Sequence, residues 1–143
     1  MLIEGTVVGQ EQLASGIPTT GTKMKKPSRK TLVKKLDQAV SLYIRNRDKA
    51  CVVCGSSERL NNGHLFSRTA YSTRWDVTED GNCHAQCWPC NFRHERDAYP
   101  FNNWYIMNFG KDKWDELHKR YATPRKYKDF ELLELLNYIK GLE

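Results

Sequence analysis

Two short cysteine motifs constrain this chain more than any other feature. Cys51-Val52-Val53-Cys54 and Cys87-Trp88-Pro89-Cys90 are C-x-x-C turns separated by 32 residues. Each turn aims two sulfurs at one point and a structural zinc ion takes four thiolates in a tetrahedron, so Cys51, Cys54, Cys87 and Cys90 are expected to close one zinc site. A redox C-x-x-C needs a single motif in a βαβ setting, and neither condition holds here. The gap is longer than in a compact zinc ribbon, which implies a functional loop or hairpin inserted between the knuckles. Cys83, the fifth cysteine, is left over as a buried or half-buried free thiol.

The inserted stretch cannot order itself by apolar packing. Residues 50–91 are rich in Cys, Gly, Asn and Ser, with short apolar pieces only at 52–53 and 64–66, a pattern that suits knuckles and short strands. Zinc then has to hold this part of the fold together. At 143 residues one domain is expected, and no apolar run approaches the length of a membrane span. The N-terminus lacks a basic stretch followed by an apolar core and a cleavage site, so the expected compartment is the reducing cytoplasm, where cysteines bind metal rather than pair.

The flanks read as helices. Ser28 is a good N-cap for a helix whose apolar stripe is Leu32, Leu36, Val40, Tyr43 and Ile44, stopping near Arg47 or Asp48. Beyond the second knuckle, Phe92, Tyr99, Phe101, Trp104, Tyr105, Ile106, Met107 and Phe109 form an aromatic-rich segment interrupted by Pro100, read as core rather than as base-stacking surface. Helices follow over 112–121 and 129–139. The last carries a wide apolar face of Leu132, Leu133, Leu135, Leu136 and Ile139, suited either to the first helix or to an isologous homodimer. Residues 1–27 show no sustained period and read as a flexible basic arm, leaving 28–143 as the single zinc-stabilised domain.

The formal net charge of +6 suggests a polyanionic partner, and its distribution says more. Seven basic residues fall between positions 23 and 35, with no acidic residue from Glu11 to Asp37. DNA is the expected partner and no membrane contact is expected. A solvated helix face is the plainer account of the same charges. Arg45, Arg47, Arg68 and Arg74 are further expected phosphate contacts.

Between and after the knuckles lie His64, Asn82, five residues before Cys87, and Asn91, directly after Cys90 at the start of an expected helix. This order, threaded through two C-x-x-C turns, resembles the zinc-containing HNH nucleases, including junction resolvases of the endonuclease VII type. The blocks Lys34-Lys35-Leu36-Asp37, Gly63-His64-Leu65-Phe66-Ser67-Arg68, Arg74-Trp75-Asp76 and Asn82-Cys83-His84-Ala85-Gln86-Cys87 resemble, in order and spacing, the NinG/Rap family of lambdoid phage recombination proteins. The resemblance implies a small α+β fold in which a ββα-metal core is stapled by a four-cysteine zinc site and flanked by N- and C-terminal helices. It implies a metal-dependent endonuclease that hydrolyses phosphodiester bonds in branched DNA, such as Holliday junctions and D-loops, with other recombination proteins as partners.

Carried over by position, His64 would be the general base, Asn82 would orient it, and Asn91 would help to bind Mg²⁺ or Mn²⁺. One departure matters. HNH sites commonly have an acidic residue or a second His just before the base, and here that position is Gly63. The missing ligand would come from Asp76, from His94, from Asn62, from the backbone, or from His64 itself. A rival reading is a zinc-knuckle DNA-binding module without chemistry, in which His64 and Asn91 only satisfy local hydrogen bonds.

Overall fold

The computed structural model describes residues 26–142. The arm expected over 1–27 therefore lies, apart from its last two residues, outside the described residues. Helix α1 spans Arg29–Asp48; Ser28 caps it as the sequence requires, its Oγ accepting the Thr31 N–H at 3.1 Å. Lys49, in the left-handed conformation with φ 63°, ends it by returning its N–H to the Arg45 carbonyl. Leu32, Leu36, Val40 and Ile44 repeat every four residues and are all buried. They face Leu132, Leu136 and Ile139 of the last helix, α6 (Asp129–Gly141), in one aliphatic cluster. Of the apolar face expected on the last helix, Leu132, Leu136 and Ile139 are thus covered by the chain's own first helix, while Leu133 stays exposed.

A two-stranded antiparallel sheet lies beside α1. Strand β1 (Leu60–His64) pairs with β2 (Cys83–Cys87) in the register Leu60↔Cys87, Asn62↔Ala85 and His64↔Cys83. β1 reads Leu-Asn-Asn-Gly-His, a polar run rather than the short apolar strand expected to end at His64. It is a strand because β2 templates it, and β2 is buried at all five positions. Cys83 and Ala85 of β2 join the α1–α6 cluster. The end of α1 is tied to the same strand, since the Asp48 carboxylate accepts the Ala85 N–H at 2.8 Å. Arg47 pairs with Asp48 and donates to the carbonyls of Val77 and Cys83 at 2.8 and 3.1 Å.

A four-residue helix, α2 (Tyr71–Arg74), sits in the connection between the strands. Helix α3 (Trp88–His94) follows β2 without a break, with Pro89 in its first turn, where a missing N–H breaks no helical bond. The aromatic-rich segment is helix α4 (Tyr99–Phe109), and Pro100 starts it rather than interrupting it. Phe101 and Tyr105, one turn apart, are buried with Leu65 and with Leu117 of α5 (Lys111–Ala122), and the Tyr105 hydroxyl donates to the Asp80 carbonyl. Phe92, Tyr99 and Met107 are exposed, so the aromatics divide between core and surface. No described helix is long and apolar enough to cross a membrane.

Candidate metal centre and active-site cleft

The four cysteine sulfurs converge. Cys51 and Cys54 lie in a turn closed by the Gly55 N–H donating to the Cys51 carbonyl at 2.8 Å, while Cys87 ends β2 and Cys90 sits in the first turn of α3. All four Sγ atoms lie within 4.8 Å of one another, with Cys54 and Cys87 at 3.5 Å. Zinc–sulfur bonds of about 2.3 Å place tetrahedral thiolates about 3.8 Å apart, so the donor set fits such an ion. The electrostatics agree. Burial opposes ionisation of Cys51, but backbone N–H groups of Cys54, Cys87 and Val53 outweigh it and bring the thiol down to about 7. Burial and the neighbouring sulfurs push Cys90 far up, because four thiolates cannot share this space without a cation. Cys83 belongs to another place: it is fully buried, donates to the Arg74 carbonyl at 3.3 Å, and is pushed up by burial to about 12.

His64, Asn91 and His94 line one open cleft of about 720 Å³. Asp37 and Ser41 of α1, Asn61 and Asn62 of β1, and Glu95, just after α3, line it too. The His64 Nε2 lies 2.9 Å from the Arg74 carbonyl. A carbonyl can only accept, so Nε2 carries the proton and the neutral ring keeps its lone pair on Nδ1. Burial lowers His64 to about 4, which keeps it neutral through the neutral pH range.

His84 shows what a purely structural histidine looks like in the same hairpin. Its Nε2 donates to the Gly81 carbonyl at 2.7 Å, its Nδ1 accepts from Arg47 at 3.3 Å, and the ring is 1% exposed among Phe101, Trp104, Tyr105 and Phe109. Both ring nitrogens are used and none faces solvent. His64 has one nitrogen anchored and lines the cleft.

The anchor is itself held. The Arg74 side chain donates to Asp37 through Nε at 3.0 Å and Nη2 at 2.6 Å, and Trp75 Nε1 and Arg68 Nη2 reach the same carboxylate at 2.8 and 2.9 Å. Burial would raise the Asp37 carboxyl, but bonds from Arg74 and Trp75 and the charges of Arg74 and Arg68 leave it below its ordinary value. Asp37 thereby ties α1 to the segment whose carbonyl holds His64. The expectation that Arg47 and Arg74 contact phosphate is corrected here: both are largely buried in ion pairs with Asp48 and Asp37. Arg68 stays more than half exposed beside the cleft.

Asn82 and Asp76 lie elsewhere. Asn82 is fully buried and both its side-chain bonds go to Phe66, accepting its N–H at 2.8 Å and donating to its carbonyl at 2.9 Å. It clamps the chain leaving β1, whereas the imidazole itself is oriented by Arg74. Asp76 does not line the cleft; its carboxylate caps Thr78 and pairs with Arg120 at 2.9 Å. His94 bonds the Leu65 carbonyl through Nε2 at 2.9 Å, and its Nδ1 is buried with no partner among the described residues.

Glu95 and Gln86 carry no distinctive sequence signal, yet the first lines the cleft and the second occupies the space beside Gly63. Glu95 lies four residues after Asn91, just past the end of α3, and lines the same cleft. A Cβ built on Gly63 would overlap Gln86 Oε1 and lie 2.9 Å from its Cδ. The space that a residue before His64 would use is thus taken by a side chain of β2, itself 1% exposed and with an unpartnered Oε1. The oxygens of Asn91 and Glu95 suit a hard divalent ion, which takes one or two protein oxygens along with water and phosphate. Beyond the cysteines, no three His, Cys, Asp or Glu groups converge closely enough to form a site among the described residues.

Known proteins resemble the chain over most of its length. The family model described as Bacteriophage Lambda NinG protein matches residues 19–141. The protein ninG of Escherichia phage 933W is 29% identical over 97 residues, covering 65% of this chain and 47% of that protein, and the protein ninG of Escherichia phage lambda is 30% identical over the same length and coverage. The chain spans about half the length of these curated relatives. No solved structure matches it.

Proposed function

The chain belongs to the NinG family of bacteriophage proteins, and we propose that it is a metal-dependent DNA endonuclease of the HNH type, holding zinc in its four-cysteine site and hydrolysing phosphodiester bonds in branched DNA. The observation that carries this reading is the state of His64: anchored at Nε2, neutral, and lining a cleft shared with Asn91 and Glu95. Hydrolysis needs a group that accepts a proton from the attacking water, and the free Nδ1 lone pair is that group. Arg74 keeps the tautomer and Asp37 keeps Arg74. Asn91 and Glu95 would hold Mg²⁺ or Mn²⁺, which supplies Lewis-acid stabilisation of the phosphate when bound.

Gly63 and the incomplete ligand set favour the rival reading, a DNA-binding module without chemistry. A nicking time course on a four-way junction separates the two, run with Mg²⁺, with Mn²⁺ and with EDTA. His64→Ala at matched DNA occupancy is expected to lose about two or more orders of magnitude in rate while binding and zinc content stay normal. Equal rates for the two proteins would remove His64 as the base. A wild-type protein that binds junctions and cuts none of them with either metal is a binding module.

A further inference from the structure

Helix α3 has a second face. Trp88 and Phe92, one turn apart, are stacked with ring centroids 5.2 Å apart and planes 7° apart, and they are 48% and 46% exposed. The Arg59 guanidinium lies 5.2 Å from the Trp88 ring and that of Arg96 lies 4.8 Å from the Phe92 ring, so the surface is a ladder of cation, ring, ring, cation. We propose that this ladder is a stacking platform for unpaired bases of a DNA strand.

Three observations support that occupant. Arg59 and Arg96 form no ion pair among the described residues, whereas Arg47, Arg68, Arg74, Arg93 and Arg120 all do. Two uncompensated guanidiniums at the ends of an aromatic stack match a strand that alternates phosphate with flat bases, since every base offers a π-face and each phosphate a negative charge. Glu58 and Glu95 adjoin the arginines in sequence but neither is bonded to them. Second, Arg59 has φ 54°, a conformation that costs a side-chain-bearing residue energy, and its carbonyl accepts the Trp88 N–H at 3.0 Å. The strained residue is thereby fastened to the ring it covers. Third, Phe92 follows the cleft residue Asn91 by one position, about 100° around α3, and Arg96 follows the cleft residue Glu95 in the turn just after the helix. The Phe92–Arg96 end of the platform is therefore next to residues that line the cleft. Duplex bases are already stacked and offer no free face; a branch point does. The ladder would let the protein select DNA with unpaired bases and lead that strand toward His64.

The inference rests on DNA being the ligand, not on cleavage, and the test reads binding alone. Fluorescence anisotropy of the full zinc-loaded chain compares a labelled oligothymidylate, an abasic strand of equal length and a duplex. Phe92 is the residue to change, because Trp88 adjoins the metal ligand Cys87. Phe92→Ala and Phe92→Leu are expected to weaken the oligothymidylate about tenfold or more while leaving the abasic strand unchanged, and Phe92→Trp to retain binding. Arg59→Gln and Arg96→Gln should each reduce the salt slope for both strands by about 0.7. Equal affinity for thymidylate and abasic strands, unchanged binding by Phe92→Leu, or a dimer mass that Phe92→Ala abolishes would overturn the platform. If duplex and junction still bind in that case, the DNA reading survives without it; if no nucleic acid binds at all, both fall.

Discussion

The α1–α6 pair and the hairpin between the cysteines lie side by side and are held by different forces. In the first, Leu32, Leu36, Val40, Ile44, Leu132, Leu136 and Ile139 are all essentially removed from water, and each stabilises by about 1.5–3 kcal/mol without regard to pH or metal. In the second, the buried groups include Asn82, His84 and Gln86 as well as four convergent sulfurs. Their contribution depends on protonation and on what the sulfurs hold. A polar, conditional hairpin can place His64 beside a cleft only because a plain aliphatic pair backs it, through Asp37, Asp48, Cys83 and Ala85.

Removing metal should break the comparison most sharply. Chelation, or Cys54→Ser, is expected to release the order of β1, β2 and the start of α3, since structural zinc contributes on the order of 10 kcal/mol. Hydrogen exchange should then show lost protection from 51 to 90 with α1 and α6 still partly protected. Unchanged protection in both regions, or zinc well below one per chain in the folded protein, would show that the hairpin stands alone.

Leu136→Ala attacks the other region. It should cost about 2–5 kcal/mol in urea unfolding, and the loss should be the same with or without chelator. A cost below about 1 kcal/mol would mean that α6 is not part of the core.

Acid should distinguish the two regions next. Burial holds His84 at about 4, against an ordinary value of 6.5. The unfolded chain therefore takes up this proton more readily than the folded one, so the stability is full above about pH 6.5 and is lost as pH falls toward 4, by roughly 3 kcal/mol at most. Urea midpoints for wild type and His84→Gln at several pH values in that window test this; the variant should show the flatter profile, and parallel profiles would contradict it.

The smallest expected effect is at the edge of the aliphatic pair. Ser28→Ala removes the cap on the Thr31 N–H and should lower stability by about 1 kcal/mol, with no change in zinc content or in DNA binding. A measurable change in either would mean that the start of α1 reaches the site.

Much of this was legible from local pattern. The Ser28 cap, the stripe of α1, helices α5 and α6 and the four cysteine ligands all follow from periodicity or spacing, because each depends on residues within a turn or two. The expectation that His64 and Asn91 share one place comes from the resemblance to HNH nucleases, and both line one cleft with His94. The expected apolar piece at 64–66 begins where β1 ends, because the partner strand, rather than β1's own side chains, makes 60–64 a strand. Pro100 looked like a break and is a start, since only the helix boundary decides whether its missing N–H is needed.

By itself, then, the sequence determined helices α1, α5 and α6, the four cysteines that converge and the family. Tertiary structure alone decided which charges are free and which side chains share a space. Arg74 is committed to Asp37, 37 positions away, while Arg59 and Arg96 face outward over Trp88 and Phe92. Gln86 lies over Gly63 only because the antiparallel register brings β2 across it. The physical reason is one of range: capping, periodicity and C-x-x-C turns act along a few residues of chain, whereas ion pairing, burial and steric occupancy depend on neighbours that only the folded chain brings together.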